Sequence, residues 1–265
     1  MSRNSIKHRR LELAPAGADG SAVATGVIFT GNAIVRAIAI DYISQPATTD
    51  ILIKRDNTDG VTLFTVTSAN TDIVPTPVSM TAGVDETGAA LAATDASAGG
   101  WPVAGGLFVD VAQGDGQTTG DERVIVDVWF EECEYKSITM QTVGADGSAV
   151  ATRLIKMAKA GVIRAIRVDY QNEPVSTDIV ITADVLESDF SLGNIIFTRT
   201  SSATDILLSP VGAAGLNESN AAIAATDASD GGWVFQSNFY IDIAQADGYA
   251  GGGNEQVVFE FWIDT

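Results

Sequence analysis

Apolar and polar residues alternate with a period of two along much of this chain. In "LFVDVA", residues 107–112, Leu, Val and Val alternate with Phe, Asp and Ala, and "FYIDIA", residues 239–244, repeats the pattern. A period of two indicates a strand with one buried face. Further strand-like segments, each bounded by Gly, Pro, Asn or Asp, are 23–29, 34–42, 49–54, 61–67 and 71–74. No segment sustains a helical period, so the pattern predicts an all-β protein.

The strand pattern occurs twice. The string "GADGSAVAT" stands at residues 17–25 and again at 144–152. "VRAIAIDYISQPATTDILI" (35–53) matches "IRAIRVDYQNEPVSTDIVI" (163–181), and "AATDASAGGW" (92–101) matches "AATDASDGGW" (224–233). The two copies stay in step with only short insertions, and each is long enough to be a complete domain.

The duplication predicts the domain organisation. Seven or eight short strands in about 120 residues are typical of an antiparallel β-sandwich, here expected to be jelly-roll-like. We therefore predict two tandem sandwiches, 11–132 and 138–265, with a linker at 133–137 and an extended basic arm at 1–10. Cys133, the only cysteine, is expected to be an inert linker residue.

Charge is distributed unevenly along the chain. Asp and Glu number 34 against 15 Lys and Arg, which gives a net charge of −19. Such a polyanion is not expected to bind nucleic acid or an anionic membrane. The arm is the exception, because it carries cations and no acid. The residues predicted to contact a partner protein there are Arg3, Lys7, Arg9 and Arg10.

A second cationic segment distinguishes the two copies. The matching part of the first copy has only Arg36, whereas the second copy holds Arg153, Lys156, Lys159, Arg164 and Arg167. We interpret this patch as a docking surface for a neighbouring protein, and a solvated face is the alternative. Trp129 and Trp262 occupy equivalent places on the polar face of the last strand and are predicted interface anchors.

The residue types argue against catalysis. Histidine is the usual proton-transfer group near neutral pH, and the only one is His8, in the predicted arm. No GxSxG, GxxxxGK or GxGxxG motif is present. We therefore predict no enzyme activity and no cofactor. Calcium is the alternative considered for the carboxylates around two Gly-rich turns, against the preferred interpretation as simple turns; these are Asp110, Asp115, Asp121, Asp242 and Asp247.

The order of the motifs resembles a known family. "PATTDILI" (46–53), "TLFT" (62–65), "TDIVP" (71–75) and "TGAA" (87–90) are followed by "LFVDVAQGDG" (107–116) and "VIVDVWFE" (124–131). Taken together they resemble the decoration, cement or capsid-stabilising proteins of tailed bacteriophages. The resemblance implies binding to the outside of an assembled capsid, commonly as trimers, with the arm lying across the shell. It implies the major capsid protein of the same virion as partner and no catalytic residues.

The sequence therefore predicts a virion structural protein. A capsid decoration protein is the first expectation, located on the outer capsid surface, made in the host cytoplasm without export and assembled as a homo-oligomer, with a trimer favoured. One alternative is a double-jelly-roll protein that forms the shell itself. Another is a carbohydrate-binding module in which Trp129 or Trp262 stacks on sugars.

Overall fold

The fold is described from a computed structural model of the chain. The structure describes residues 5–55, 62–77, 100–116, 120–184, 193–203, 205–208, 215–216, 222–223, 232–249 and 255–265. These residues form strands and turns without a helix, and the chain divides into two compact units, Met1–Cys133 and Glu134–Thr265. The prediction of an all-β protein with two antiparallel β-sandwich domains is confirmed.

The first unit contains two antiparallel sheets, one of five strands and one of four. Its strands are β1 (Lys7–Leu13), β2 (Ala22–Phe29), β3 (Ala33–Ile43), β4 (Asp50–Arg55), β5 (Thr62–Val66), β6 (Ile73–Pro77), β7 (Trp101–Val103), β8 (Leu107–Gly114) and β9 (Arg123–Glu132). One sheet has the order β1-β9-β3-β6, with the short β7 pairing with β3, and the other has the order β2-β8-β4-β5. With β7 set aside, the eight strands pair as 1-8-3-6 and 2-7-4-5, which is the arrangement of a jelly roll.

The second unit repeats this topology. Its strands are β10 (Glu134–Gln141), β11 (Ala149–Lys156), β12 (Gly161–Gln171), β13 (Asp178–Ala183), β14 (Asn194–Arg199), β15 (Ile206–Leu208), β16 (Gly215–Leu216), β17 (Ala222–Ile223), β18 (Trp233–Phe235), β19 (Asn238–Ala246) and β20 (Gln256–Asp264). The sheets have the orders β10-β20-β12-β15 and β11-β19-β13-β14, while β18 pairs with β12 and β16 pairs with β17. The chain is therefore a tandem of two jelly rolls.

Each unit encloses an apolar core between its sheets. In β9 the period-two pattern places Val124, Val126 and Val128 inside, where none has any exposed surface. In β20 the corresponding inward residues include Phe259 and Phe261, which are also fully buried. Burial of apolar surface stabilises the packing of two such sheets by about 25 cal/mol for each Å² removed from water.

Two predicted boundaries are wrong. Lys7–Arg10 does not form a free arm, because these residues belong to β1, which pairs in antiparallel register with β9. Likewise 134–137 is not a linker but the start of β10, which pairs with β20. Both are edge strands, and the segments 7–10 and 134–137 contain no buried residue. A segment that contributes nothing to the core carries too few apolar residues for its period to stand out.

The repeated string forms the turn between the first two strands of each unit, and in the first unit it is tied to the loop before the last strand. The backbone N–H of Gly20 donates to Asp115 Oδ1 at 2.8 Å. On the other side of this contact, a Cβ built on Gly116 would lie 2.0 Å from the carbonyl oxygen of Gly17. Only glycine permits such an approach of two backbones.

The same contact recurs in the second unit. The backbone N–H of Gly147 donates to Asp247 Oδ1 at 2.8 Å, and a Cβ on Gly248 would lie 2.0 Å from the carbonyl oxygen of Gly144. We call this arrangement the turn clasp. It accounts for the repeat of "GADGSAVAT" and of the Asp-Gly pair in the later loop.

Candidate functional site

A groove opens in each unit between the first strands of its two sheets, both of which are edge strands. The first edge groove lies between β1 and β2 and has a volume of about 620 Å³. The second edge groove lies between β10 and β11 and has a volume of about 460 Å³. The first is lined by Arg9, Arg10, Ile28, Phe29, Thr30, Gly31, Asn32, Phe130, Glu132 and Cys133. The second is lined by Tyr135, Lys136, Ser137, Ile138, Arg153, Leu154, Ile155 and Lys156.

The first edge groove combines an aromatic floor with a cationic rim. Phe29 and Phe130 stack with ring centroids 4.3 Å apart and planes 18° apart. Arg9 stands on the rim in an exposed position, and within the described part of the chain no hydrogen bond or ion pair engages it. Cys133, predicted to be a linker residue, also lines this groove.

Arg10, by contrast, is held within its own unit. Its guanidinium donates two hydrogen bonds to Asp127, Nε to Oδ1 at 3.0 Å and Nη2 to Oδ2 at 2.9 Å. The bond to Arg10 is the largest cause that lowers the pKa of the Asp127 carboxyl. His8 Nε2 lies 2.7 Å from the same Asp127 Oδ1. His8, the only histidine, therefore shares the Asp127 carboxylate with Arg10.

The second edge groove is richer in cations. Lys136 lines one wall, and Arg153 and Lys156 line the other. Arg153 is exposed, and its Nη1 lies 3.5 Å from the carbonyl oxygen of Thr139, which is too long for a strong hydrogen bond. The strand register makes Gly26 the counterpart of Arg153 in the first unit, so the second groove has a cation at a strand position where the first unit has none.

Two cations of the predicted basic patch lie elsewhere. Arg164 and Arg167, both on β12, are half-buried and face carboxylates of β20, with Asp264 at 3.1 Å and Glu260 at 3.5 Å. The first of these pairs is shared by both copies, since Arg36 and Glu131 are 2.8 Å apart in the first unit. The predicted patch is therefore divided between the second edge groove and the outer face of a sheet. The copies differ in the groove part and also at Arg167, whose counterpart in the first unit is Ala39.

The expectation that Trp262 is exposed is wrong. Its side chain has no exposed surface, and the ring of Tyr135 lies 5.4 Å away on the neighbouring edge strand. In the first unit His8 covers Trp129 in the same way at 4.9 Å, and Trp129 is half-buried. The first strand of each unit, assigned to arm or linker in the sequence, supplies the covering residue.

The remaining predicted contact residues are scattered. Lys7 is exposed and pairs with Glu132 at 2.5 Å. Lys159 is exposed in the turn that joins β11 and β12. Arg3 lies outside the described residues. The structure thus gathers Arg9 and Arg10 in one groove and Arg153 and Lys156 in the other. Sequence reasoning missed Phe29, Phe130 and Lys136, since nothing in the period showed that the first strand stands beside them.

Aspartates that keep their places between the copies hold backbone groups. Asp72 Oδ1 accepts the N–H of Tyr42 at 2.8 Å, and Asp205 Oδ1 accepts the N–H of Tyr170 at 2.7 Å. Asp50 and Asp178 accept backbone N–H groups in the same manner. Short carboxylates commonly play this part in turns.

The carboxylates considered for calcium are largely engaged within the fold. Asp110 pairs with Lys54 at 2.6 Å, and Asp115 and Asp247 form the turn clasps. Asp121 is exposed, and burial raises the pKa of the half-buried Asp242. Across the described residues no group of three or more potential ligands could hold a metal ion, but 117–119 and 250–254 of these loops lie outside them. The predicted absence of a cofactor and the calcium alternative both stay untested.

Comparison with known proteins gave structural similarities only. No protein-family model matches the chain, and no curated protein matches it. Among solved structures, the STIV MCP is 10% identical with a TM-score of 0.30, covering 98% of this chain and 96% of its own. The major capsid protein P2 from bacteriophage PM2 is 8% identical with a TM-score of 0.29, covering 98% and 97%.

A third similar structure is PBCV-1 VP54, fitted into a reconstruction of the virophage Sputnik, at 7% identity and a TM-score of 0.25, with 100% and 94% coverage. All three TM-scores lie below 0.5, and the jelly-roll assignment rests on the strand order of this chain. Among the described residues, no helix is long and apolar enough to cross a membrane.

Proposed function

We propose that this chain is a virion structural protein, a double-jelly-roll subunit that builds a capsid shell. The observation that carries the proposal is the strand order, which gives a complete jelly roll twice in one chain. Jelly rolls of this kind occur in viral capsids, lectins and cupins. Fold alone does not choose among them, so the choice depends on the sites.

The residues that a sugar-binding or enzymatic role would need find little support among the described residues. A sugar-binding jelly roll was expected to use an exposed tryptophan, but Trp262 is buried and Trp129 lies under His8. An enzymatic jelly roll needs a cluster that titrates or binds a metal, and the described residues contain no group of potential metal ligands. These observations favour a protein that works through its surface.

A shell subunit is preferred here to a decoration protein. The resemblance to decoration proteins implied an arm that lies across another protein's shell, and Lys7–Arg10 instead belongs to a strand of the first sandwich. Because Lys7–Arg10 is held in this sheet, the principal partner we propose is the chain itself, with trimers that bring six sandwiches together. The proposed location is the virion.

The test is expression of the full chain alone, followed by negative-stain electron microscopy and light scattering. A shell subunit should assemble closed particles or extended arrays. A small oligomer that binds only preformed capsids would instead return the chain to the decoration class. A protein that neither assembles with itself nor binds a capsid would refute the virion role.

A further inference from the structure

The edge strands carry cations that their own unit does not neutralise. On the sheet faces, Arg36, Lys54 and Arg164 lie within 3.1 Å of a carboxylate oxygen. Arg9 has no such partner among the described residues, and the one contact described for Arg153 is the 3.5 Å approach to the Thr139 carbonyl. These two arginines are exposed, and each stands on the rim of an edge groove.

The rest of the molecule has the opposite charge. The net charge of −19 is carried by 34 acidic residues against 15 basic ones, and several carboxylates stand in exposed positions, among them Asp19 and Asp121. Two copies of such a chain repel each other over most of their surfaces. A cationic groove attracts the acidic surface of another copy, so the electrostatic interaction between two copies is favourable there instead of repulsive.

We propose that the two edge grooves are docking sites for acidic surfaces of a second copy of this chain, with Arg9 and Arg153 as the cations that make the contact. The inference rests on the proposed function, since a shell subunit has its own copies as neighbours. In the first edge groove the stacked Phe29 and Phe130 add apolar area beneath the charge. In the second, Lys156 and Lys136 also line the groove, and Lys136 Nζ lies 3.7 Å from Glu134 Oε1 of its own strand.

Edge protection is the competing explanation for these cations. Charged residues on an exposed edge strand prevent it from pairing with another strand. The two explanations predict opposite results when the charge is removed without being reversed. If the grooves bind acidic surfaces, Arg9→Ser and Arg153→Ser weaken self-association; if the arginines only protect the edges, the same variants strengthen it.

The experiment compares five full-length proteins by sedimentation velocity over a series of NaCl concentrations. They are the wild type, Arg9→Glu, Arg153→Glu, the double Ser variant and the control Lys159→Glu. The control changes the charge by the same amount at an exposed residue outside both grooves. Each groove reversal should weaken the self-association constant roughly tenfold at low salt, and less at high salt. Unchanged thermal melting should show that each variant is folded.

The outcomes separate the inference from the proposed function. A wild type that assembles, with groove variants no different from Lys159→Glu, overturns the inference and leaves the shell role intact. A wild type that does not assemble at all overturns the shell role first. Stronger association of the double Ser variant assigns the arginines to edge protection. Loss of co-sedimentation with an added DNA duplex in the groove variants, with self-association unchanged, would assign them to nucleic acid and also overturn the inference.

Discussion

The turn clasp makes a prediction about the glycine that follows each clasp aspartate. In Gly116→Ala the new methyl carbon would lie 2.0 Å from the carbonyl oxygen of Gly17. Both contacting atoms belong to backbone, so no side-chain rotation can relieve the overlap. The turn must move away from the loop, which also lengthens the bond from Gly20 N–H to Asp115.

The expected cost can be estimated from these two effects. Forcing an extra carbon into a well-packed site costs about 1–3 kcal/mol, and losing a hydrogen bond to a charged group costs about 1.5–3 kcal/mol. Because the two losses overlap, we expect Gly116→Ala to lower the free energy of unfolding by about 3 kcal/mol. Gly248→Ala in the second unit should behave alike, since its Cβ meets Gly144 at the same distance.

The control for this change is Gly20→Ala. Gly20 has a positive φ of 75° but nothing within 4 Å of its Cβ position. Its substitution therefore measures only the backbone strain of about 1 kcal/mol. Equilibrium urea unfolding of the full chain gives all three values. If Gly116→Ala costs no more than Gly20→Ala, the close approach of the two backbones does not exist and the clasp is wrong.

Two further predictions concern buried side chains. Trp262→Ala should destabilise the chain by about 3–5 kcal/mol in urea unfolding, because the side chain is fully buried. Trp129 is only half-buried, so Trp129→Ala should cost clearly less. Equal costs would contradict this difference in burial. Glu173→Gln tests a buried carboxyl that is 6% exposed and whose pKa burial raises. The Glu173 carboxyl therefore binds its proton more tightly in the folded state than in the unfolded state. Protonated Glu173 favours folding at low pH, and this contribution is lost as the pH rises from about 4.5 through the folded-state pKa. The wild type should thus lose stability relative to Glu173→Gln between pH 4 and pH 7, measured as the difference in urea midpoints, and a difference that does not change with pH would refute the assignment.

Most strands were predictable because the sandwich buries one face of each. The segment 34–42 emerged as β3 (Ala33–Ile43) and 49–54 as β4 (Asp50–Arg55). In both, apolar residues alternate with polar ones because each has one face in the core. The beginnings of the edge strands β1 and β10 escaped detection, since the segments 7–10 and 134–137 contain no buried residue that would impose the period.

The candidate site was less predictable than the fold. Periodicity places Trp262 on the outer face of its strand, and that placement is correct, but it does not reveal that Tyr135 lies over the ring. In the same way, the spacing of Arg164 and Arg167 shows two neighbouring cations without showing the carboxylates of β20 beside them. What covers or neutralises an outward residue depends on strand order, and strand order is set by long-range pairing.

Some residues have equivalent contacts in both copies, and others occur in only one copy. Features present in both, such as the ion pair of Arg36 with Glu131 and its counterpart in the second unit, hold each jelly roll together. The edge strand differs, since Gly26 in the first copy corresponds to Arg153 in the second. In the first copy that glycine allows Leu11 and Leu13 to approach, because a Cβ there would lie within 2.8 Å of both side chains. The two grooves are therefore expected to meet different acidic surfaces of a neighbouring copy, so Arg9→Glu and Arg153→Glu should weaken assembly independently.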